Sequence, residues 1–316
     1  MRAIPILFTF LICMSACGLR AEEGGTIIPT NTATRIADPP PNIHATSEAV
    51  MVTRTPKATL EPHLSPEYWQ EWPIIPTVMP EMKAVFTRGI AIGNNPAVFI
   101  KIGDGEISTV WFLTQYDLEP ANYHLGSHTD LLPVINQFSG SFGRVGLAAG
   151  RGYNTSIILG LVPAGTPGCE PGESRLACEI CTTRPAFALI SLGTNQVWQP
   201  GIFETEYRLI VESLLESRVV PILATKADNL EGDHQINQII TRIAYDYNLP
   251  LWNFWLAVQP LPEQGLQADR EHLTYAYSDF SNLTNFLYAW PWRNLTALQV
   301  LDSVYRAVTY PRGDEN

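Results

Sequence analysis

Residues 97–108 read Ala-Val-Phe-Ile-Lys-Ile-Gly-Asp-Gly-Glu-Ile-Ser. An apolar run of strand length ends at Gly103-Asp104, a turn pair, and the residues from Gly105 onward can open a helix. Similar apolar runs recur downstream: "PAFALISLG" at 185–193, "VVPILAT" at 219–225 and "LPLWNF" at 249–254. Helical patterns separate them. Leu209, Ile210, Leu214 and Leu215 fall at helical spacing in 203–218, and Ile236, Ile239, Ile240 and Ile243 share one face in 234–248. Residues 293–308 read as a terminal amphipathic helix. Strands alternating with helices predict an α/β domain, a three-layer α/β/α sandwich around a mostly parallel central sheet. Ligands of such sheets bind beyond the carboxyl ends of the strands. Gly103-Asp104-Gly105 and Gly193-Thr194-Asn195 both fall there.

The chain has 316 residues, 46% hydrophobic and 16% charged, enough for one domain with a substantial core plus extra segments. A formal charge of −11 and the lack of a Lys/Arg cluster argue against a nucleic-acid partner. Residues 18–66 are rich in Thr, Pro, Ala and Asn with no sustained apolar period, the composition of a disordered tether. The folded domain is expected over 67–312, with 313–316 a short tail.

At the N-terminus, Arg2 precedes the apolar stretch Ile4–Cys13, which is too short to span a membrane comfortably and reads as an export signal. Met14-Ser15-Ala16-Cys17 resembles a bacterial lipobox, which would make residues 1–17 a lipoprotein signal and Cys17 the lipidated residue. The alternative is an ordinary cleaved signal peptide and a secreted protein. Either reading puts the domain outside the cytoplasm, where disulfides persist. A Cys169–Cys178 bridge would close the loop "CEPGESRLAC", with Cys169–Cys181 the alternative pairing. Cys178-x-x-Cys181 has no second ligand pair at zinc-site spacing, and Gly126 interrupts any helix that would align His124, His128 and Asp130. No metal or cofactor is expected.

Gly103-Asp104-Gly105, Gly193-Thr194-Asn195-Gln196 and Asp269-Arg270-Glu271-His272 together resemble the SGNH/GDSL hydrolase superfamily, in particular a bacterial extracytoplasmic branch. Its blocks are an early Gly-Asp-Ser, a middle glycine, Gly-x-Asn-Asp and a late Asp-x-x-His. The resemblance runs from about Trp69 to the terminal helix and implies an SGNH or flavodoxin-like sandwich that hydrolyses acyl esters. Glycan acetyl groups are one such substrate class. It implies His272 as general base, Asp269 as the carboxylate fixing its tautomer, and Asn195 with a glycine N–H as oxyanion donors. Gly152 in "GRGYNTS" matches the middle glycine, with Gly150 its rival. Asp104 would hold the turn through backbone hydrogen bonds. The implied partners are a small-molecule or glycan ester and, through Cys17, a membrane.

Two positions depart from the pattern. Gln196 replaces an aspartate that serves mainly as an anchor. Gly105 occupies the nucleophile position, and a glycine has no side chain with which to attack a carbonyl. Ser108, one helical turn on, and Glu106, acting with His272 on water, are the local substitutes for the missing hydroxyl. The competing expectation is a catalytically impaired relative that binds a ligand without turning it over.

Overall fold

The computed structural model describes residues 63–118 and 123–310. The expected signal segment, Cys17, most of the expected tether and the 313–316 tail lie outside the described residues. Helix α1 (Pro80–Ala91) leads into strand β1 (Asn95–Gly103), which is followed by the one-turn helix α2 (Gly105–Ser108). Three helices, α3 (Leu132–Gln137), α4 (Thr155–Leu159) and α5 (Arg175–Thr183), precede strand β2 (Pro185–Ser191). The order continues α6 (Pro200–Glu216), β3 (Val220–Ala224), α7 (Gln235–Asp246), β4 (Leu251–Trp252), α8 (Phe254–Val258) and α9 (Ala289–Thr309).

The strands form one parallel sheet in the order β1-β2-β3-β4. Every residue of β2 and β3 is buried, as expected for strands covered on both faces. Helices α1, α3 and α8 pack against α9 in one layer, while α4, α5 and α7 pack against α6 in the other. The α/β/α reading of the sequence therefore describes the fold, and each apolar run becomes a strand.

One edge of the sheet positions the site. After β1 the chain returns along its outer side, where Gly103 N–H donates to Ala148 O and Gly150 N–H donates to Gly103 O, each at 3.0 Å. It then crosses to β2 on the other side of β1. The carboxyl end of β1 is thus a point where the chain diverges to both sides, the location at which open α/β sheets form clefts. Gly103 is required there: a Cβ would stand 2.0 Å from Ser191 O of β2, and its φ is +154°.

β1 contains a buried charge, Lys101, whose Nζ donates to Phe112 O at 3.1 Å and Phe142 O at 2.6 Å. Burial pushes the ammonium down to about 7. Its two bonds tie the loops after β1 to the strand. The Cys169–Cys178 disulfide is present, closing the loop that enters α5.

Sequence periodicity misplaces one helix face. Leu209 is 47% exposed, and the buried stripe of α6 is Phe203, Tyr207, Ile210, Val211 and Leu214. The aromatic residues at 203 and 207 shift the core-facing direction away from Leu209. The isoleucines of α7 (Ile236, Ile239, Ile240 and Ile243) are all buried as expected. Ile240→Ala should therefore cost about 2–5 kcal/mol in urea unfolding. Leu209→Ala should change stability by less than about 0.5 kcal/mol.

Candidate functional site

The turn after β1 is built by Asp104, the N-cap of α2, whose Oδ1 accepts the Glu106 N–H at 3.1 Å. The Asp104 carboxyl is buried, which pushes it up to about 6 against the pull of the Glu106 N–H and Arg293. Gly105 is uncrowded. A Cβ there would meet only Arg151 Cγ, at 4.0 Å, so the turn admits a Cβ without crowding. Ser108 points back into its own helical turn, its Oγ reaching Gly105 O at 3.5 Å.

Asp269 and His272 lie on a loop pinned at its base. Leu266 bridges Leu273, Gln267 N–H donates to His272 O at 2.8 Å, and Thr274 N–H donates to Gly265 O at 2.7 Å. Within the loop, Asp269 Oδ2 lies 2.8 Å from His272 Nδ1. Asp269 Oδ1 accepts the backbone N–H groups of Glu271 and His272 at 3.1 and 3.0 Å. These bonds lower the Asp269 carboxyl to about 2, the His272 N–H contributing most, then Glu271, then the imidazole. Asp269 in turn raises the His272 imidazole above its usual value, partly offset by desolvation. Both side chains are largely exposed. An imidazole with Nδ1 engaged in this way keeps Nε2 available as a base.

The His272 and Glu106 charges act on each other across 166 positions (272 − 106). Glu106 is only about a fifth exposed, with Oε2 3.5 Å from Arg293 Nη1. Burial pushes its carboxyl up to about 7; Arg293 and His272 draw it down, while Asp104 and Asp228 push it further up.

Arg293 is the residue that motif reading missed. It is fully buried in α9, its guanidinium 4.7–6.0 Å from the rings of Phe112, Trp252, Phe254 and Trp290. Nη2 donates to Ser191 Oγ at 2.9 Å, at the end of β2. A signal was available: Arg293 shares the helical stripe of Ala297, Val300 and Val304, so an arginine stands in an apolar seam.

The Gly193-Thr194-Asn195-Gln196 turn follows β2. Gln196 is buried, its Oε1 accepting from Thr155 Oγ1 at 2.7 Å and Thr155 N at 3.2 Å, so the amide anchors the turn to α4. Thr194 Oγ1 donates to Asp228 Oδ2 at 2.7 Å. Asp228 is ion-paired with the buried Lys226, which also holds Glu231, both at 2.6 Å. This support is a second feature absent from the motif reading. Asn195 is exposed and one of its Nδ2 hydrogens goes to Tyr153 O at 3.1 Å. Gly150 N–H is taken by Gly103 O, whereas Gly152, at φ +77°, has open space where a Cβ would be.

His124, His128 and Asp130 do not form a ligand cluster: the His128 ring lies against Phe280, and Phe280 N–H donates to the backbone O of His124. The metal-ligand grouping found among the described residues is Cys169, Glu173 and Cys178, whose two sulfurs are already bonded to each other. No helix of the described residues is long and apolar enough to cross a membrane.

No protein-family model matches the chain, and no curated protein matches it. Similar solved structures include a psychrotrophic esterase from Pseudoalteromonas sp., at 16% identity and a TM-score of 0.41, covering 65% of this chain and 97% of that one. A GDSL-like lipase from Bacteroides thetaiotaomicron has 14% identity and a TM-score of 0.38, covering 70% and 97%. A catalytic mutant of an acetylxylan esterase from Geobacillus stearothermophilus has 14% identity and a TM-score of 0.40, covering 64% and 93%.

The electrostatics of the loop are directly testable. In a titration followed by NMR, the His272 imidazole should have its midpoint above the ordinary histidine value of about 6.5. Asp269→Asn should lower it, because the carboxylate that favours the imidazolium is gone.

Proposed function

We propose that this chain is an extracytoplasmic protein of SGNH/GDSL hydrolase type, held at a membrane by a lipid on Cys17. In this proposal its rim site binds acyl esters and hydrolyses them slowly with water as nucleophile. The observation that carries the reading is the 2.8 Å Asp269–His272 hydrogen bond, on an imidazole whose charge is coupled to that of Glu106, the residue after the uncrowded Gly105. His272 takes a proton from the attacking water through Nε2, and Asp269 steadies the imidazolium that results. The second Nδ2 hydrogen of Asn195, with the Gly152 N–H, polarises the acyl carbonyl. Asp104 keeps the turn in shape. His272 then returns the proton to the leaving alcohol.

Without a nucleophilic side chain the rate falls to what proton transfer and carbonyl polarisation supply. A chromogenic acetyl ester and the full chain test this. The unmodified protein should turn the ester over slowly, and His272→Ala should lower the rate about a hundredfold. Gly105→Ser should raise turnover about a hundredfold or more. Equal rates for His272→Ala and the unmodified protein would reject the assignment.

Gly105 itself favours a second reading, a tethered ligand-binding protein. In that case an acetylated small molecule or glycan binds without turnover, and activity emerges only with Gly105→Ser. The anchor has its own test: Cys17→Ser should shift the protein from the membrane to the soluble fraction on cell fractionation, and unchanged partitioning would reject it.

A further inference from the structure

A serine nucleophile is fixed by its own Cβ, so one hydrogen bond to a histidine suffices to aim its oxygen. A water at the same place has no covalent tether. It has two hydrogens, and two acceptors are needed to direct a lone pair at an acyl carbon. His272 Nε2 is one. The second should come from a group beside position 105 that is rigidly held, partly open to solvent and has free lone pairs.

Glu106 meets each condition. It adjoins Gly105 in the chain and its N–H is bonded to Asp104 Oδ1 at 3.1 Å. Its carboxylate is held from below by Arg293, with Oε2 3.5 Å from Nη1. That is ion-pair contact rather than a hydrogen bond. Arg293 is itself immobilised by four aromatic rings and by Ser191. Among the described residues, Arg293 Nη1 and Nε are buried with no hydrogen-bond partner. Charge fixes the Glu106 side chain without using up its lone pairs.

We propose that the Glu106 carboxylate is the second acceptor for the attacking water, holding one hydrogen while His272 Nε2 removes the other. This rests on the proposed ester hydrolysis. The step balances as follows. The water oxygen bonds to the acyl carbon as its first hydrogen passes to Nε2. The carbon–alkoxy bond then breaks and that proton goes to the departing alcohol oxygen. The second hydrogen stays with the acid product. No oxidant, metal or further reactant is needed.

Glu106 accepts most strongly when ionised, with no hydrogen of its own to compete with the water's. The charged groups acting on it are Arg293 from α9, His272 from the pinned loop, Asp228 from the segment after β3, and Asp104. Burial and the two aspartates keep a proton on it to about pH 7, so Glu106 becomes the stronger acceptor as pH rises through neutrality.

The experiment measures ester hydrolysis by the full chain against pH for the unmodified protein, Glu106→Gln and Glu106→Ala, each also with Gly105→Ser. Glu106→Ala should lower water-driven turnover by about tenfold or more. The acid limb of the pH profile should be steeper in the unmodified protein than in Glu106→Gln. With Gly105→Ser, where the nucleophile is tethered, the penalty for Glu106→Ala should shrink at least about tenfold.

Equal penalties in both backgrounds would mean that Glu106 acts only on structure and would overturn the proposal, as would an unchanged pH profile. Turnover appearing only after Gly105→Ser would also overturn it while leaving the ester site standing. His272→Ala, added to the unmodified and Gly105→Ser backgrounds, separates the two readings: unchanged rates in both would instead overturn the hydrolase reading.

Discussion

The interaction on which the site depends is the burial of one arginine. A guanidinium inside a protein costs several kcal/mol of desolvation unless charge and polar contacts offset it. Arg293 meets that cost with a cage of Phe112, Trp252, Phe254 and Trp290, a bond to Ser191, and two carboxylates on the turn above it. The same charge disciplines the turn. Asp104 and Glu106 are both pushed toward protonation by burial and both drawn back by Arg293. α9, β2 and the end of β1 therefore meet at one electrostatic point, and the turn is held by residues from three parts of the chain. Asn294, next along α9, extends this by binding Leu113 N–H, Trp111 O and Ser278 Oγ, which joins the loop after α2 to the segment after His272.

A second buried charge group supports the neighbouring turn. Lys226, Asp228 and Glu231 form a closed ionic cluster, and Asp228 passes that rigidity to Thr194. Gln196 fastens the other side to Thr155. The outer elements contrast with this floor. The Asp269–His272 pair is exposed and depends on local backbone bonds within a small loop. The architecture thus combines a stiff ionic base with an imidazole carried on a surface loop. Under the proposed function, the exposed pair is the partner that meets ligand and solvent, and the ionic base is the partner that holds still.

Much of this was legible in the sequence wherever the signal was local. β1, β2 and β3 announce themselves as continuous apolar runs, and α7 by four isoleucines at helical spacing. The Asp269–His272 bond spans three positions, and the Asp104 cap spans two, so both follow from short-range geometry. The features that escaped are long-range. The return of the chain at Ala148–Gly150 beside β1 is a contact too short to leave any periodicity. The Lys226–Asp228 support acts through Thr194, 34 positions earlier (228 − 194). Arg293 shows in the sequence only as an arginine within the apolar stripe of a terminal helix; its aromatic cage comes from residues at 112, 252, 254 and 290 and exists only once the chain is folded. Leu209 failed for a simpler reason: Phe203 and Tyr207 outweigh it in choosing which side of α6 faces the sheet.

The uncrowded space at Gly105 has an evolutionary consequence. Glycine and serine codons can differ by a single base, and a Cβ at this turn would come no nearer than 4.0 Å to Arg151 Cγ. Under the proposed function, a single replacement would therefore separate water-driven from serine-driven chemistry, and crowding at the Cβ would not oppose it. Selection on what the cleft does, rather than on whether the protein folds, would decide which residue is kept.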